Sequence, residues 1–313
     1  MPRSPRPIVL GHRLSASTTA PAEEVDGFAH LRRRHPCLSG PANQTAGRVH
    51  LPVAPGCNIG CRFCARSLTD PAQRPGVARG IVTPEDAPEL VARARALCPE
   101  LSVVGVAGPG DALATPHALE ALRRVRARFP DLLFCLSTNG LRLAERADEV
   151  AAAGVTSVTV TVNAVDPGIL ERLCAHVVID GRRHTGREAM TALIAAQLEG
   201  IRAAAARGLL VKVNAVLVPE VNDDHVEDIA IAVKAAGAHL MNLIPLIPQH
   251  QLAGARAPRC QELEDAREDV ERHLEVFRHC QHCRADALGV PGRGRDLGPS
   301  LYAEPAPETF SHG

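Results

Sequence analysis

The chain has 313 residues, and 35 Lys+Arg against 35 Asp+Glu leave no formal net charge. Six Phe, one Tyr and no Trp supply few stacking rings, so neither charge nor aromatics point to nucleic-acid binding. Hydrophobic residues make up 45%, enough for one large α/β domain or two small ones. The longest apolar stretches, such as 209–218, are broken by Lys212 and Asn214 and fall short of a membrane span. The N-terminus lacks a sustained apolar signal segment, so a soluble cytoplasmic protein is expected.

In chain order, residues 1–25 are rich in Pro, Arg and Ser and read as a flexible leader, with a core over 26–290. Short apolar runs at 50–55, 102–108, 132–137, 157–163, 209–218 and 240–245 read as strands covered by helices on both faces. Thr83-Pro84 and Thr115-Pro116 mark helix starts, and Thr185-Gly186-Arg187-Glu188 has the pattern of a capping box. Leu119, Leu122, Val125 and Phe129 form a helical apolar stripe, and Gly154 is placed to end a helix. Residues 291–313 are expected to be a loose, Gly- and Pro-rich tail. Six strand–helix units imply a parallel sheet with right-handed crossovers, either doubly wound or partly closed into a barrel. Ligands then bind at the carboxyl ends of the strands.

Ten cysteines are many for a chain without a signal peptide, and point to metal or redox chemistry rather than a disulfide framework. Two groups are tight, Cys57/Cys61/Cys64 and Cys280/Cys283. The triplet lies directly after the first strand, on the ligand-binding edge. A structural zinc ion wants four closed ligands and a redox dithiol needs two thiols. Three thiolates hold an iron–sulfur cube with one iron left open, and that reading is preferred to a zinc knuckle or chance clustering.

Cys57-x3-Cys61-x2-Cys64, with Phe63 before the last cysteine, resembles the signature of the radical S-adenosylmethionine (SAM) superfamily. The resemblance implies a partial (β/α)6 barrel whose open iron chelates SAM and cleaves it to methionine and a 5′-deoxyadenosyl radical. Segments further out resemble the NifB family in particular. They are FAHL at 28–31, HPC at 35–37, GRVHLPVAP at 47–55, RPGV at 74–77, LSVVGVAGPGD at 101–111 and CLSTNG at 135–140. DGRR at 180–183, TGRE at 185–188, VKVN at 211–214 and RHCQHCRADA at 278–287 follow in family order.

That resemblance implies a radical SAM enzyme that fuses two [4Fe–4S] clusters around a SAM-derived carbide, making the precursor of the nitrogenase cofactor. One SAM methylates a cluster sulfide, and a second yields the radical that attacks that methyl. Cys57, Cys61 and Cys64 are then the catalytic SAM-cluster ligands. Cys37, Cys135, Cys280 and Cys283, lying in N- and C-terminal extensions and the barrel, hold the consumed clusters with one histidine from His30, His35 and His50. Gly108, Pro109, Gly110 and Asp111 would meet the SAM amino group through their backbone, with Ser137, Thr138 and Asn139 also in reach. The implied partners are a low-potential electron donor, iron–sulfur assembly proteins and a cofactor carrier, with no nucleic acid and no membrane. The chain looks like the catalytic core without an appended carrier domain.

Other residues are less specific. Asn163, Lys212 and Asn214 are polar positions in apolar strands, readable as cofactor contacts or as hydrogen-bonded core. Arg74 is a cation for sulfide clusters or an exposed loop arginine. Cys98, Cys174 and Cys260 read as small buried hydrophobes. One departure stands out. The family carries a further cysteine between the triplet and RPGV, where residues 65–73 here read ARSLTDPAQ; Asp70 is the one alternative ligand, and a poor one. Two rivals follow, a divergent radical SAM enzyme with another substrate and a non-catalytic iron–sulfur or zinc module.

Overall fold

A polar/apolar alternation within the strands sets the architecture. In Leu133–Thr138, Phe134 and Leu136 face helices, while Cys135 and Ser137 face the opposite way, into a cavity. The same alternation gives Val211 and Val213 against Lys212 and Asn214. The strands are therefore apolar on one face, not on both as the sequence suggested. Burial alone conceals this, because the inward polar residues are also shielded from solvent.

The computed structural model describes residues 27–68 and 70–302. Helices α1 (Ala29–Arg34) and α2 (Gly40–Thr45) lead into β1 (Gly47–His50), and the three-cysteine loop carries β2 (Ile59–Cys61). Then come α3 (Ala87–Leu97), β3 (Leu101–Val106), α4 (His117–Arg128), β4 (Leu133–Thr138), α5 (Leu143–Ala152) and β5 (Val155–Thr161). An insertion of α6 (Pro167–Leu173), β6 (Cys174–Ile179) and β7 (Arg182–His184) precedes the long α7 (Gly186–Ala206). The remainder is β8 (Leu210–Leu217), α8 (Val226–Ala235), β9 (Leu240–Pro245), α9 (Cys260–Glu271), β10 (Glu275–Val276), β11 (Leu288–Gly289) and α10 (Gly298–Leu301).

The main sheet runs β10-β9-β8-β5-β4-β3-β1-β11. Strands β1, β3, β4, β5, β8 and β9 are parallel, the six expected units, and β11 returns antiparallel beside β1. Its edge strands β10 and β11 do not pair with each other, so the barrel is partial. The inserted β6 and β7 join β2 in a separate three-stranded sheet, absent from the strands expected above.

Val104, Val106, Leu136, Val158, Val160 and Val213 pack outward with Leu119, Leu122 and Val125 of α4 in one continuous core. A smaller cluster plugs the N-terminal end of the barrel: Val103, Leu133, Leu210 and Leu240 meet Leu31 and Leu38 from the N-terminal extension and Phe277 from the C-terminal one. Among the described residues no helix is long and apolar enough to cross a membrane.

Several local expectations shift. The first strand ends at His50 instead of starting there, because Pro52 and Pro55 lack the amide a ladder needs. Thr185 caps α7 without a side-chain hydrogen bond; Gly186 enters at φ +80°, outside the geometry of a capping box. Thr83 bonds Asp86 in a turn ahead of α3, which begins at Ala87. Gly154 does end α5's connection, with φ +84°. Residues 291–302, expected in a loose tail, are packed, since Leu301 is fully buried and its carbonyl accepts from Arg93 at 2.6 Å. The expected leader and residues 303–313 lie outside the described residues.

Leu119 has no exposed surface, so Leu119→Ala leaves a void in the main core. It should cost about 2–5 kcal/mol, read as a lowered urea midpoint with an unchanged slope.

Candidate functional site

Eight of the ten cysteines line one cavity of about 340 Å³ inside the barrel: Cys37, Cys57, Cys61, Cys64, Cys135, Cys174, Cys280 and Cys283. All are free thiols. They come from both chain termini, the loop after β1, β4 and the inserted sheet, and they lie at two depths.

The three-cysteine loop forms the mouth. Its backbone is clamped by the turn after β3: Gly110 N donates to Ala54 O at 2.7 Å and Asp111 N to Gly56 O at 2.8 Å. The approach demands glycine, because a Cβ at Gly110 would stand 1.9 Å from Gly56 O. Asn139 Nδ2 donates to Asn58 Oδ1 at 2.6 Å and lies 3.8 Å from Cys57 Sγ. From the other side β6 pairs antiparallel with β2, setting Cys174 opposite Cys61.

The side chains of Asp111 and Thr138 build this wall. Asp111 accepts from Asn139 N at 2.5 Å, Leu113 N at 2.9 Å and Thr138 Oγ1 at 3.1 Å. Its burial pushes the carboxyl upward, against the pull of those donors. Asn163 Oδ1 accepts from Val216 N, and Asn214 Oδ1 from Asn242 Nδ2. Ser137, Asn163 and Asn214 line the same cavity, as do Pro109 and Gly110. Gly108 sits just behind, at φ +126°.

Deeper in the barrel, Cys135 sits beside Gly105, where a Cβ would come within 2.8 Å of its sulfur and 3.4 Å of the His50 ring. Cys37 follows α1. Cys280 and Cys283 follow β10, and Cys283 Sγ takes a 3.1 Å contact from Arg48 Nη2. This C-terminal segment is fastened by Ala285 N to Val77 O, by His50 N to Ala287 O and by the buried Arg284–Asp286 pair at 2.8 Å. Arg284 also donates to Asp70 O and Ala72 O, tying down the loop that lacks a cysteine.

The three candidate histidines separate. His30 is exposed on α1 and does not line the cavity, which removes it as a ligand candidate. His35 Nδ1 accepts from Cys37 N at 3.1 Å, so a neutral ring carries its proton on Nε2. His50 Nδ1 lies 2.9 Å from Arg284 O, an acceptor only, which makes Nδ1 the donor and leaves the Nε2 lone pair available. Asp70 is also removed. Its Oδ2 pairs with Arg74 at 2.6 Å and its Oδ1 accepts from Ala72 N, so the carboxylate is turned into its own loop, off the cavity. Arg74 itself is buried in that pair, not an exposed loop residue.

Burial raises the thiols of Cys37, Cys57, Cys61, Cys64, Cys135 and Cys174. Cys57 is pushed up to about 11 by burial, then by Asp111. Cys61 rises further, first from burial and then from Cys174, Cys64 and Cys57. Cys135 reaches about 12, from burial and then Cys37. Thiolates packed this closely need a cationic partner to ionise, which iron supplies. Among the described residues no three His, Cys, Asp or Glu groups converge to hold a single ion. The thiols surround a space instead, as a cluster with one ligand per iron requires. The donor set fits an iron–sulfur cluster.

Sequence reasoning passed over three contributors. Cys174, read as core, is buried but lines the cavity; only the β2–β6 pairing, invisible locally, brings it to Cys61. Gln197 on α7 donates from Nε2 to Asn139 O and Thr161 O, joining two strand ends. Arg48 sits in a segment already singled out. Cys260, also read as buried, is exposed at the start of α9, while Cys98 is buried in the main core as expected.

Gly110→Ala should displace the three-cysteine loop. Iron counted after anaerobic reconstitution should fall by roughly four per chain, one cube, with the remainder retained. A pH dependence also follows for the cluster-free protein. Burial lowers His35 to about 3 and His50 to about 4, so the unfolded chain takes up their protons near 6.5 while the folded chain does not. Stability is therefore intact above pH 6.5 and declines as pH falls toward 4. His50→Gln should flatten that decline in urea midpoints between pH 7 and 5; an unaltered slope would assign it elsewhere.

Comparisons with known proteins agree with the architecture. The radical SAM superfamily model matches residues 51–232. The FeMo cofactor biosynthesis proteins NifB of Methanocaldococcus infernus and Methanocaldococcus jannaschii are 42% and 44% identical, over 86% and 85% of this chain and 89% of each relative. The Klebsiella pneumoniae NifB is 41% identical over 88% of this chain, which spans 60% of that longer protein. Among solved structures, a radical SAM methyltransferase from Sphaerobacter thermophilus superposes with a TM-score of 0.53 at 20% identity, over 78% of this chain and 69% of that one. Streptococcus suis SuiB, bound to S-adenosylmethionine, gives 0.50 at 12% identity, over 73% of this chain and 49% of its own. These two bear on the fold, and the fold is the partial (β/α)6 barrel of radical SAM enzymes. With identities above 40% across nearly the whole length of its archaeal relatives, the chain belongs to the NifB family of the radical SAM superfamily.

Proposed function

We propose that this chain is a radical SAM enzyme of nitrogenase cofactor biosynthesis, and that it joins two [4Fe–4S] substrate clusters around a SAM-derived carbide. The carrying observation is two sets of thiols in one cavity: Cys57, Cys61 and Cys64 on the loop clamped beyond the strand ends, and Cys37, Cys135, Cys280 and Cys283 further in, with Cys135 opposite Gly105 within the sheet. Its relatives' name, FeMo cofactor biosynthesis protein, supports the same reading.

In this reading Cys57, Cys61 and Cys64 hold the SAM cluster, which when bound supplies the electron that cleaves SAM to methionine and a 5′-deoxyadenosyl radical. Asn139, Gly110 and the β6 strand fix the loop that carries them. The backbone of Gly108, Pro109, Gly110 and Asp111 receives the SAM amino group, beside Ser137, Thr138, Asn139, Asn163 and Asn214. Below, Cys37, Cys135, Cys280 and Cys283 hold the substrate clusters, with His50 as the histidine whose free nitrogen faces them. The enclosing barrel keeps water from a radical formed between the two layers. A low-potential reductant, iron–sulfur assembly proteins and a product carrier are the partners such chemistry requires, in the cytoplasm.

A second reading has a specific observation behind it. Loop 65–73 offers no thiol and its Asp70 is turned away, so this loop supplies no ligand to a second substrate cluster; a radical SAM enzyme with a different substrate is the alternative. Anaerobic reconstitution of wild type and of a Cys57/Cys61/Cys64→Ala triple variant separates them. Roughly twelve irons falling to about eight, with methyl transfer and 5′-deoxyadenosine in the wild type, is expected. About four irons, nearly all lost in the triple variant, with 5′-deoxyadenosine alone, would overturn carbide insertion in favour of the alternative.

A further inference from the structure

Lys212 is a buried cation without a buried anion. Its side chain points from β8 into the cavity, and the residue is only 6% exposed. The ammonium donates to Cys37 O at 3.2 Å and sits 5.1 Å from the centre of the Phe277 ring. Neither partner carries a negative charge. Among the described residues Asp111 is the one carboxylate lining the cavity, and its oxygens are engaged by Asn139, Leu113 and Thr138 at the mouth. A lysine in such surroundings is costly, because one carbonyl and one ring face do not replace the water it has lost.

The groups around it are the deep thiols. Its ammonium is hydrogen-bonded to the backbone of Cys37, and Cys135, His35, Cys280 and Cys283 line the same cavity. Cys37 is brought there by the N-terminal extension and Phe277 by the C-terminal one. The lysine therefore stands where both extensions meet the barrel, well below the three-cysteine loop, rather than among the polar residues at the mouth. Iron–sulfur clusters ligated by thiolates are anions, and their potentials respond to nearby charge.

We propose that Lys212 is a positioning residue for the substrate cluster held by the deep thiols, balancing that cluster's negative charge and raising its reduction potential. This rests on the function proposed above. The cavity tolerates the ammonium because an anionic substrate fills it; the hydrogen bond to Cys37 O aims the charge at the layer containing Cys37 and Cys135. Arg48, which contacts Cys283, has a backbone acceptor in Gly289 O at 2.6 Å and is thus partly satisfied without a cluster, whereas Lys212 has no comparable second acceptor.

The test uses the full chain in the Cys57/Cys61/Cys64→Ala background, so that only deep iron is present. Lys212, Lys212→Met and Lys212→Arg forms are reconstituted anaerobically with iron and sulfide. Deep iron is counted, its loss to a chelator is timed, and its potential is read by electron paramagnetic resonance during redox titration. Lys212→Met should lose iron severalfold faster and titrate at a more negative potential, with Lys212→Arg close to the Lys212 form. Urea unfolding supplies a second sign. Without iron, Lys212→Met should be at least as stable as the parent, since an unpaired buried charge is gone; with iron, it should gain less stability than the parent. A merely structural lysine predicts the reverse in the iron-free protein, and equal potentials in all three forms. Either result would overturn the proposal while leaving the deep clusters in place. Absence of deep iron from the Lys212 form itself would instead overturn the substrate-cluster reading, and this inference with it.

Discussion

An interior lined with polar and sulfur groups is the constraint from which the rest of this fold follows. A barrel strand usually buries both faces in apolar contacts, but β4, β5 and β8 give their inner faces to Cys135, Ser137, Thr159, Thr161, Lys212 and Asn214. The outer faces must then supply nearly all the hydrophobic stabilisation. That accounts for the density of Val and Leu between the strands and α3, α4, α5 and α8, and for a core continuous around the outside of the barrel. It also accounts for the plug of Leu31, Leu38 and Phe277, without which the cavity would open through the barrel's N-terminal end.

Loops at the two depths are held by different means. At the mouth the devices are short and backbone-centred: Gly110 against Gly56, Asn139 against Asn58, β2 against β6. In the depth they are ionic and buried, with Asp286 bridging Arg284 and Arg79 while Arg284 reaches the carbonyls of loop 70–72. Breaking a buried pair of that sort leaves an uncompensated charge, so the C-terminal segment is locked more firmly than its irregular backbone suggests. The cysteines at 280 and 283 inherit that rigidity.

Much of this was legible in the chain itself. Six apolar runs announced six parallel strands, and Cys57, Cys61 and Cys64 announced the mouth, because spacing within a loop is a local property. The tight turns at Gly108–Asp111 and Ser137–Asn139 were readable for the same reason. What escaped depends on pairing over long distances. Cys174 is ordinary in its own segment and becomes a cavity residue only through β2. His30 and His35 look alike on paper, yet the five-residue step between them, about one and a half turns along α1, sends the first to solvent and the second inside. Lys212 looked like a cofactor contact because a strand pattern shows the face of a residue and not its depth. Residues 291–302 looked loose because Gly and Pro are frequent in them, yet Pro291 and Leu301 are buried and Leu297 and Tyr302 pack against the core.

The deep thiols come from opposite ends of the polypeptide. Cys37 precedes the first strand, whereas Cys280 and Cys283 follow the last helix of the barrel, and β11 pairs with β1 across most of the sequence. On a ribosome, Cys37 emerges early, is joined by Cys135 with β4, and waits through every barrel strand for Cys280 and Cys283. The triplet of the mouth is different, since Cys61 needs only β6 to complete its surroundings. The order of translation thus separates the two layers in time: the three-cysteine loop can be finished while the deep layer has only Cys37 and Cys135 of its four thiols. Metal captured by a half-made chain would meet the outer layer, and the inner one is complete only after the last barrel strand and helix have been made.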